Sequence, residues 1–208
     1  ENFRAVLPSL EVGYEAIILM RLIEARTPVP VIAANFPKLA EAEIAKLGTT
    51  IPELAEIFAK TRDQGIETDE PDWLAHHSFY PGTLAALRRC LKQTPVFIIT
   101  TKQERFARQL LRGAGIDLPA DRLWGLERGL PKEAILHHLV NRPELANLTC
   151  HFVEDRLPTL ERVARRPGLE AVCLHLATWG YCTADDIARA RQVDRIHLLD
   201  LGDFLAPA

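Results

Sequence analysis

The chain has no C-x-x-C pair among its four cysteines, Cys90, Cys150, Cys173 and Cys182. That spacing argues against a ribbon-type zinc site and a dithiol redox motif. Three of the four lie in or near apolar, strand-like runs, so a reduced, cytoplasmic setting is expected rather than a disulfide scaffold. There is no long basic run, and the formal net charge is −3. Nucleic acid is therefore not expected as the main partner, and the arginine pairs at 88–89 and 165–166 read as solvated helix faces. No apolar run reaches membrane length: Ala16–Met20 is too short and is closely flanked by charge. No signal peptide is visible, nor any internal repeat or low-complexity tract. The G-x-S-x-G of serine hydrolases is absent. Gly113-x-Gly115 follows a helix-like run instead of a strand, so it is no dinucleotide fingerprint.

What is present is ordinary globular material. Of the 208 residues, 48% are hydrophobic and 25% charged, enough for a full core. The texture changes near residue 80. Residues 1–79 hold helix-like runs and no convincing strand. Residues 9–26 keep apolar spacing behind a possible Ser9 N-cap. Residues 51–65 start with Pro52 in the first turn and are expected to stop at Gly65. The three prolines of 27–37 predict a connection. Residues 70–79 suggest another short helix.

From residue 80 strands and helices alternate. Strands are expected at 95–101, 121–126, 149–153, 170–179 and 195–201. Helices are expected at 81–93, 102–113, 131–140, 158–166 and 183–192, the last with Thr183 as N-cap. The pattern predicts an α/β fold: a parallel sheet with helices on both faces and working residues at the carboxyl ends of its strands. Residues 1–79 form one helical domain and 80–208 the α/β core.

Three strand ends and helix starts carry polar chemistry. Strand 95–101 ends in Thr100 and Thr101, followed by Lys102, where a helix begins. A hydroxyl, a cation and the positive end of a helix dipole suit phosphate, while the plain alternative is that Thr101 caps the helix. Lys132 opens the next helix, where a cation has the wrong sign for the dipole. An anionic ligand or a carboxylate could favour it there, or it is a solvated surface lysine. Glu154 and Asp155 end the strand that begins near Thr149. Hard oxygen ligands at a strand end suit Mg²⁺; the plain alternative is an ion pair with Arg156.

In order along one chain, hydroxyl, lysine and acidic pair resemble the haloacid dehalogenase-like hydrolase superfamily, most of whose members are phosphatases. FIITTK (97–102) looks like its second motif, PKEAIL (131–136) its third and FVEDR (152–156) its fourth. FYPGTLAAL (79–87) resembles the return from an inserted cap to the core. TTKQERFARQLL, HFVEDRLPTL and TWGYCT are similar to a branch found in plants and cyanobacteria. The resemblance covers most of the chain. It implies a Rossmann-like core, with residues 1–79 as an all-helical cap.

The family's first motif, a strand ending in D-x-D, is not found. Asp200 and Asp203 have D-x-x-D spacing and come last instead of first, and TDEPD (68–72) follows no strand. The resemblance implies a central first-motif strand upstream of residue 1, carrying the nucleophile. It then implies a Mg²⁺-dependent phosphatase acting on a small phosphorylated metabolite through an aspartyl phosphate. Asp155, helped by Glu154, would hold Mg²⁺. Thr100, the N–H groups near Thr101, and Lys132 would bind phosphate, with Thr100 and Lys132 counted as catalytic. The alternative is an inactive binding or regulatory module that keeps the fold. Tyr14, Glu15 and Arg21 are candidates for facing the substrate, and Gly13 wants either close packing or substrate access as its reason. Cys150/His151 and Cys173/His175 lie on two strands that could be neighbours and could suit Zn²⁺. Adjacent residues face opposite sides of a strand, however, which favours core packing. The histidine pairs at 76–77 and 137–138 lie in helix-like runs with no second histidine a turn away, so metal binding is not expected there.

Overall fold

The computed structural model describes residues 2–206. The chain divides into two compact units, Glu1–Ser78 and Phe79–Ala208.

The first unit is helical: α1 (Asn2–Val6), α2 (Glu15–Glu24), α3 (Val29–Leu47) and α4 (Ile51–Ala75). Its core gathers Val6, Ile18, Leu19, Leu22, Ile32, Phe36 and Leu54, at spacings that line one helix face. Three expectations are corrected here. Residues 27–37 are mostly helix, not a connection, because the prolines fall where a helix tolerates them. Pro28 is the N-cap, Pro30 lies in the first turn, where its missing N–H has no intrahelical partner to lose, and Pro37 follows a kink at Asn35 (φ −134°). Gly65 does not stop α4, which runs on to Ala75 and breaks its dihedrals only at Asp69, two residues before Pro71. Its start is secured by a reciprocal box: Thr50 Oγ1 accepts from Glu53 N–H, and the Glu53 carboxylate accepts from Thr50 N–H. Ser9 caps nothing; it closes a short 3-10 turn, and α2 begins six residues later.

The second unit is mixed α/β. It comprises α5 (Thr83–Gln93), β1 (Ile98–Ile99), α6 (Glu104–Gly113), β2 (Leu123–Trp124), α7 (Lys132–Val140), β3 (His151–Glu154), α8 (Leu157–Arg165), β4 (Cys173–Ala177), α9 (Ala184–Ala190), β5 (Ile196–Leu199) and α10 (Leu201–Leu205). Thr183 caps α9 through a second reciprocal box, with Asp186. The strands are parallel but form two small sheets, β1–β2 and β3–β4–β5. The expected strands shorten because a strand is defined by its ladder. The run 95–101 keeps only two paired residues, opposite Leu123 and Trp124.

The three-stranded sheet has one well-packed face. Alternation turns Phe152, Leu174, Leu176 and Ile196 toward Leu157, Leu160 and Val163 of α8, Ala190 of α9 and Leu136 of α7. Right-handed crossovers that step the same way, β3 to β4 to β5, put both connecting helices on one side. The opposite face carries His151, Val153, Cys173, His175 and His197. Of these, His151, Val153 and His197 are exposed, so helices on both faces are not what this sheet shows. The β1–β2 pair rests on a separate core of Ala107, Leu111, Ile116, Leu118 and Leu123, with leucines of α5 packed against it.

Backbone bonding fixes which edges are open. Cys173 N–H donates to Cys150 O (2.9 Å), so by parallel alternation Phe152 and Glu154 bond to β4 while His151 and Val153 point their N–H and C=O the other way. Thr100 N–H donates to Trp124 O (2.9 Å), so Ile99 likewise faces away from β2. Among the described residues, β1 and β3 do not pair with each other and no strand is bonded between them. Ile99 nonetheless packs against the core beneath β3.

Candidate functional site

Lys132 and Glu154 meet. Lys132 Nζ lies 2.6 Å from Glu154 Oε2, joining the first residue of α7 to the last of β3. The lysine's unfavourable place at a helix start is thus answered by a carboxylate of its own chain. Glu154 is buried, among the described residues its other oxygen, Oε1, has no hydrogen-bond partner, and the Arg156 backbone N–H acts on the carboxylate in the same sense as Lys132. Burial holds the Glu154 carboxyl above the usual carboxylate range, against the pull of the Lys132 charge, while Asp155 next door pushes the same way as burial.

Asp155 turns to a different neighbour. Its Oδ2 accepts from Tyr181 N–H at 2.9 Å, in the loop after β4. Gly180 makes that approach possible, because a Cβ there would collide with the Asp155 side chain. Tyr80 is close by. Its hydroxyl pKa is raised by burial and then by the charges of Tyr181, Asp155 and Cys182. The glycine–tyrosine step within TWGYCT is the feature that seats Asp155.

Thr100 directly follows β1, with its backbone N–H donating to Trp124 O. Its Oγ1 accepts from Lys102 N–H at 3.0 Å, which leaves the hydroxyl proton available to donate. Thr101 does not cap the next helix, because α6 starts at Glu104 with Gln103 as N-cap. The first N–H of α6 already has an anion: Glu104 N–H donates to Glu127 Oε2 at 2.8 Å. The helix start expected to attract phosphate is therefore served by a glutamate 23 residues away in sequence.

The three residues singled out in the helical unit have internal partners. Glu15 Oε2 accepts from the N–H groups of Glu11 and Val12 at 2.6 and 2.8 Å. Arg21 Nε pairs with Glu43 Oε1 at 2.9 Å. Tyr14 packs against the helical core, and burial raises its hydroxyl pKa. Gly13 has a packing reason, since a Cβ there would run into the Phe58 ring.

Among the described residues, no three His, Cys, Asp or Glu side chains converge as a metal-binding group. Asp155 and the unpartnered Glu154 Oε1 are hard oxygens of the type Mg²⁺ takes, and Mg²⁺ commonly uses one or two carboxylates with water and phosphate completing the shell. By donor type these two oxygens would suit that cation. Among the described residues, no helix is long and apolar enough to cross a membrane. No family model, no curated protein and no solved structure matches the chain.

Proposed function

We propose that this chain is the core and helical cap of a Mg²⁺-dependent phosphatase of the haloacid dehalogenase-like kind, acting on a small phosphate monoester. The two parallel sheets are read as halves of one sheet, completed by a strand between the open edges of β1 and β3 that carries the nucleophilic aspartate. The observation that carries the reading is the Lys132–Glu154 contact of 2.6 Å. It brings the lysine that opens one helix to the acidic pair that ends the neighbouring strand.

In this reading each residue has a distinct task. Thr100 donates its hydroxyl proton to a phosphoryl oxygen at the end of β1. Glu154, locked to Lys132, fixes where the ammonium points, so that Lys132 offsets the carboxylates around it and orients the incoming aspartate. Asp155, clamped by Tyr181 N–H, presents its other oxygen at the strand end, where with Glu154 Oε1 it would hold Mg²⁺. The cation, when bound, neutralises charge on the phosphoryl oxygens. The aspartate brought by the added strand would attack phosphorus and displace the ester oxygen, which leaves as the protonated alcohol, and water would hydrolyse the resulting aspartyl phosphate to inorganic phosphate and free aspartate.

The test uses the full-length encoded protein with Mg²⁺ and a generic aryl phosphate. Asp155→Asn is expected to abolish turnover while the thermal melt stays intact, and Glu154→Gln to be milder. Turnover that survives Asp155→Asn sinks the assignment of Asp155 to Mg²⁺, and a wild-type protein with none favours the binding or regulatory module.

A further inference from the structure

Three imidazoles stand in a line on the open face of the β3–β4–β5 sheet. Register puts His175 directly across from His197 and one diagonal step from His151. The His151 and His175 rings stack with centroids 5.3 Å apart and 20° between their planes. His197 lies on the far side of His175, with 6.0 Å between centroids. Nδ1 of His151 approaches Nε2 of His175 to 3.1 Å.

That approach has two chemical solutions. One ring can donate an N–H to the lone pair of the other. Alternatively both rings carry their proton on the far nitrogen, and two lone pairs face each other across the gap. The second arrangement is repulsive by itself and becomes favourable only with a cation between the nitrogens. The edge of a tetrahedron with Zn–N bonds of about 2.0–2.1 Å is about 3.3 Å, so the 3.1 Å separation is close to what such a cation needs. Cys150 is not part of this face, because alternation turns it the other way, whereas Cys173 lies on it directly across from His151.

We propose that His151 and His175 form a two-imidazole site for a divalent transition cation of borderline softness, Zn²⁺ being the type case, with water in the remaining positions. The site is distinct from the acidic pair, since alternation turns Glu154 to the opposite face with Phe152. It does not rest on the phosphatase reading. Burial and the two flanking imidazoles hold His175 below the ordinary histidine range.

Zn²⁺ titration of the ¹⁵N-labelled chain near neutral pH, followed at the imidazole resonances, tests the site directly. The expected result is one equivalent shifting the His151 and His175 rings together. In competition with a chromophoric chelator, His151→Asn and His175→Asn should each weaken binding about tenfold or more, and His197→Asn should leave it close to wild type. The proposal is overturned if neither ring shifts in the wild-type chain. It is also overturned if both variants keep wild-type affinity, which assigns the binding to thiols, or if His197→Asn loses as much as His175→Asn.

Discussion

Lys132 Nζ and Glu154 Oε2 form an ion pair of 2.6 Å in which the glutamate side chain is only 4% exposed and the lysine 19%. The pair ties the start of α7 to the end of β3, and it puts a charge at a helix terminus that the dipole alone would reject. Removing one member of a buried pair leaves the other uncompensated, which costs far more than removing both.

Lys132→Met should therefore destabilise the chain by about 3–5 kcal/mol, and adding Glu154→Gln should restore part of the loss. The pH dependence has a definite sign. The folded pKa of Glu154 lies above its ordinary value of 4.5. The stability linked to this group is thus fully present below that value and declines as pH rises through the folded pKa. Lys132→Met raises the folded pKa further, so the decline extends to higher pH in the variant than in the wild type. Urea midpoints between about pH 4 and 8 check this; equal slopes for the two proteins refute it.

Gly180→Ala should push Asp155 off its seat, because the new Cβ and the Asp155 side chain compete for one position. The expected cost is about 1–3 kcal/mol of overpacking, with a shift of the Tyr181 amide resonance as the Tyr181 N–H to Asp155 bond lengthens. An unmoved Tyr181 amide contradicts the clamp.

Gly13→Ala tests packing in the helical unit in the same way. Its Cβ meets the Phe58 ring, so a loss of about 1–3 kcal/mol is expected. Phe58→Leu in the Gly13→Ala background should recover part of it. A double variant no more stable than Gly13→Ala alone argues against the contact.

Arg195 ties the turn between α8 and β4. Its guanidinium donates to the carbonyls of Ala164, Leu169, Glu170 and Val172, at 2.6, 2.7, 3.1 and 3.4 Å. Arg195→Met strips a charged donor from several acceptors and should cost about 3 kcal/mol; Arg195→Lys should keep some of that. Chemical denaturation of the two variants should rank them in that order.

A cap with its partner three residues on was legible at Thr183 and missed at Thr50, while partners distant in sequence left no sign. Thr183 was readable as a cap because Asp186 is three residues on. The misfit of Lys132 is legible from the dipole alone, which calls for an anion beside it. Which carboxylate it was depended on a strand 22 residues away. Glu127, which accepts from the first N–H of α6, left no local sign, so the sequence offered only a Thr101 cap and phosphate as readings of that helix start. The prolines of 27–37 misled because proline's penalty depends on its position in the helix, which composition does not show. Alternation separated Cys150 from His151 correctly, but the His151–His175 contact needed the register of β3 on β4.

The amides of β3 divide by parity, and solvent should read that division. In the 208-residue chain Phe152 and Glu154 are held by β4, whereas the N–H groups of His151 and Val153 point to the open edge. Deuterium should enter at 151 and 153 well before 152 and 154, a sawtooth along four consecutive residues. A segment bound along that edge would close the gaps and flatten the sawtooth, which makes exchange at Val153 a direct gauge of whether the edge is occupied.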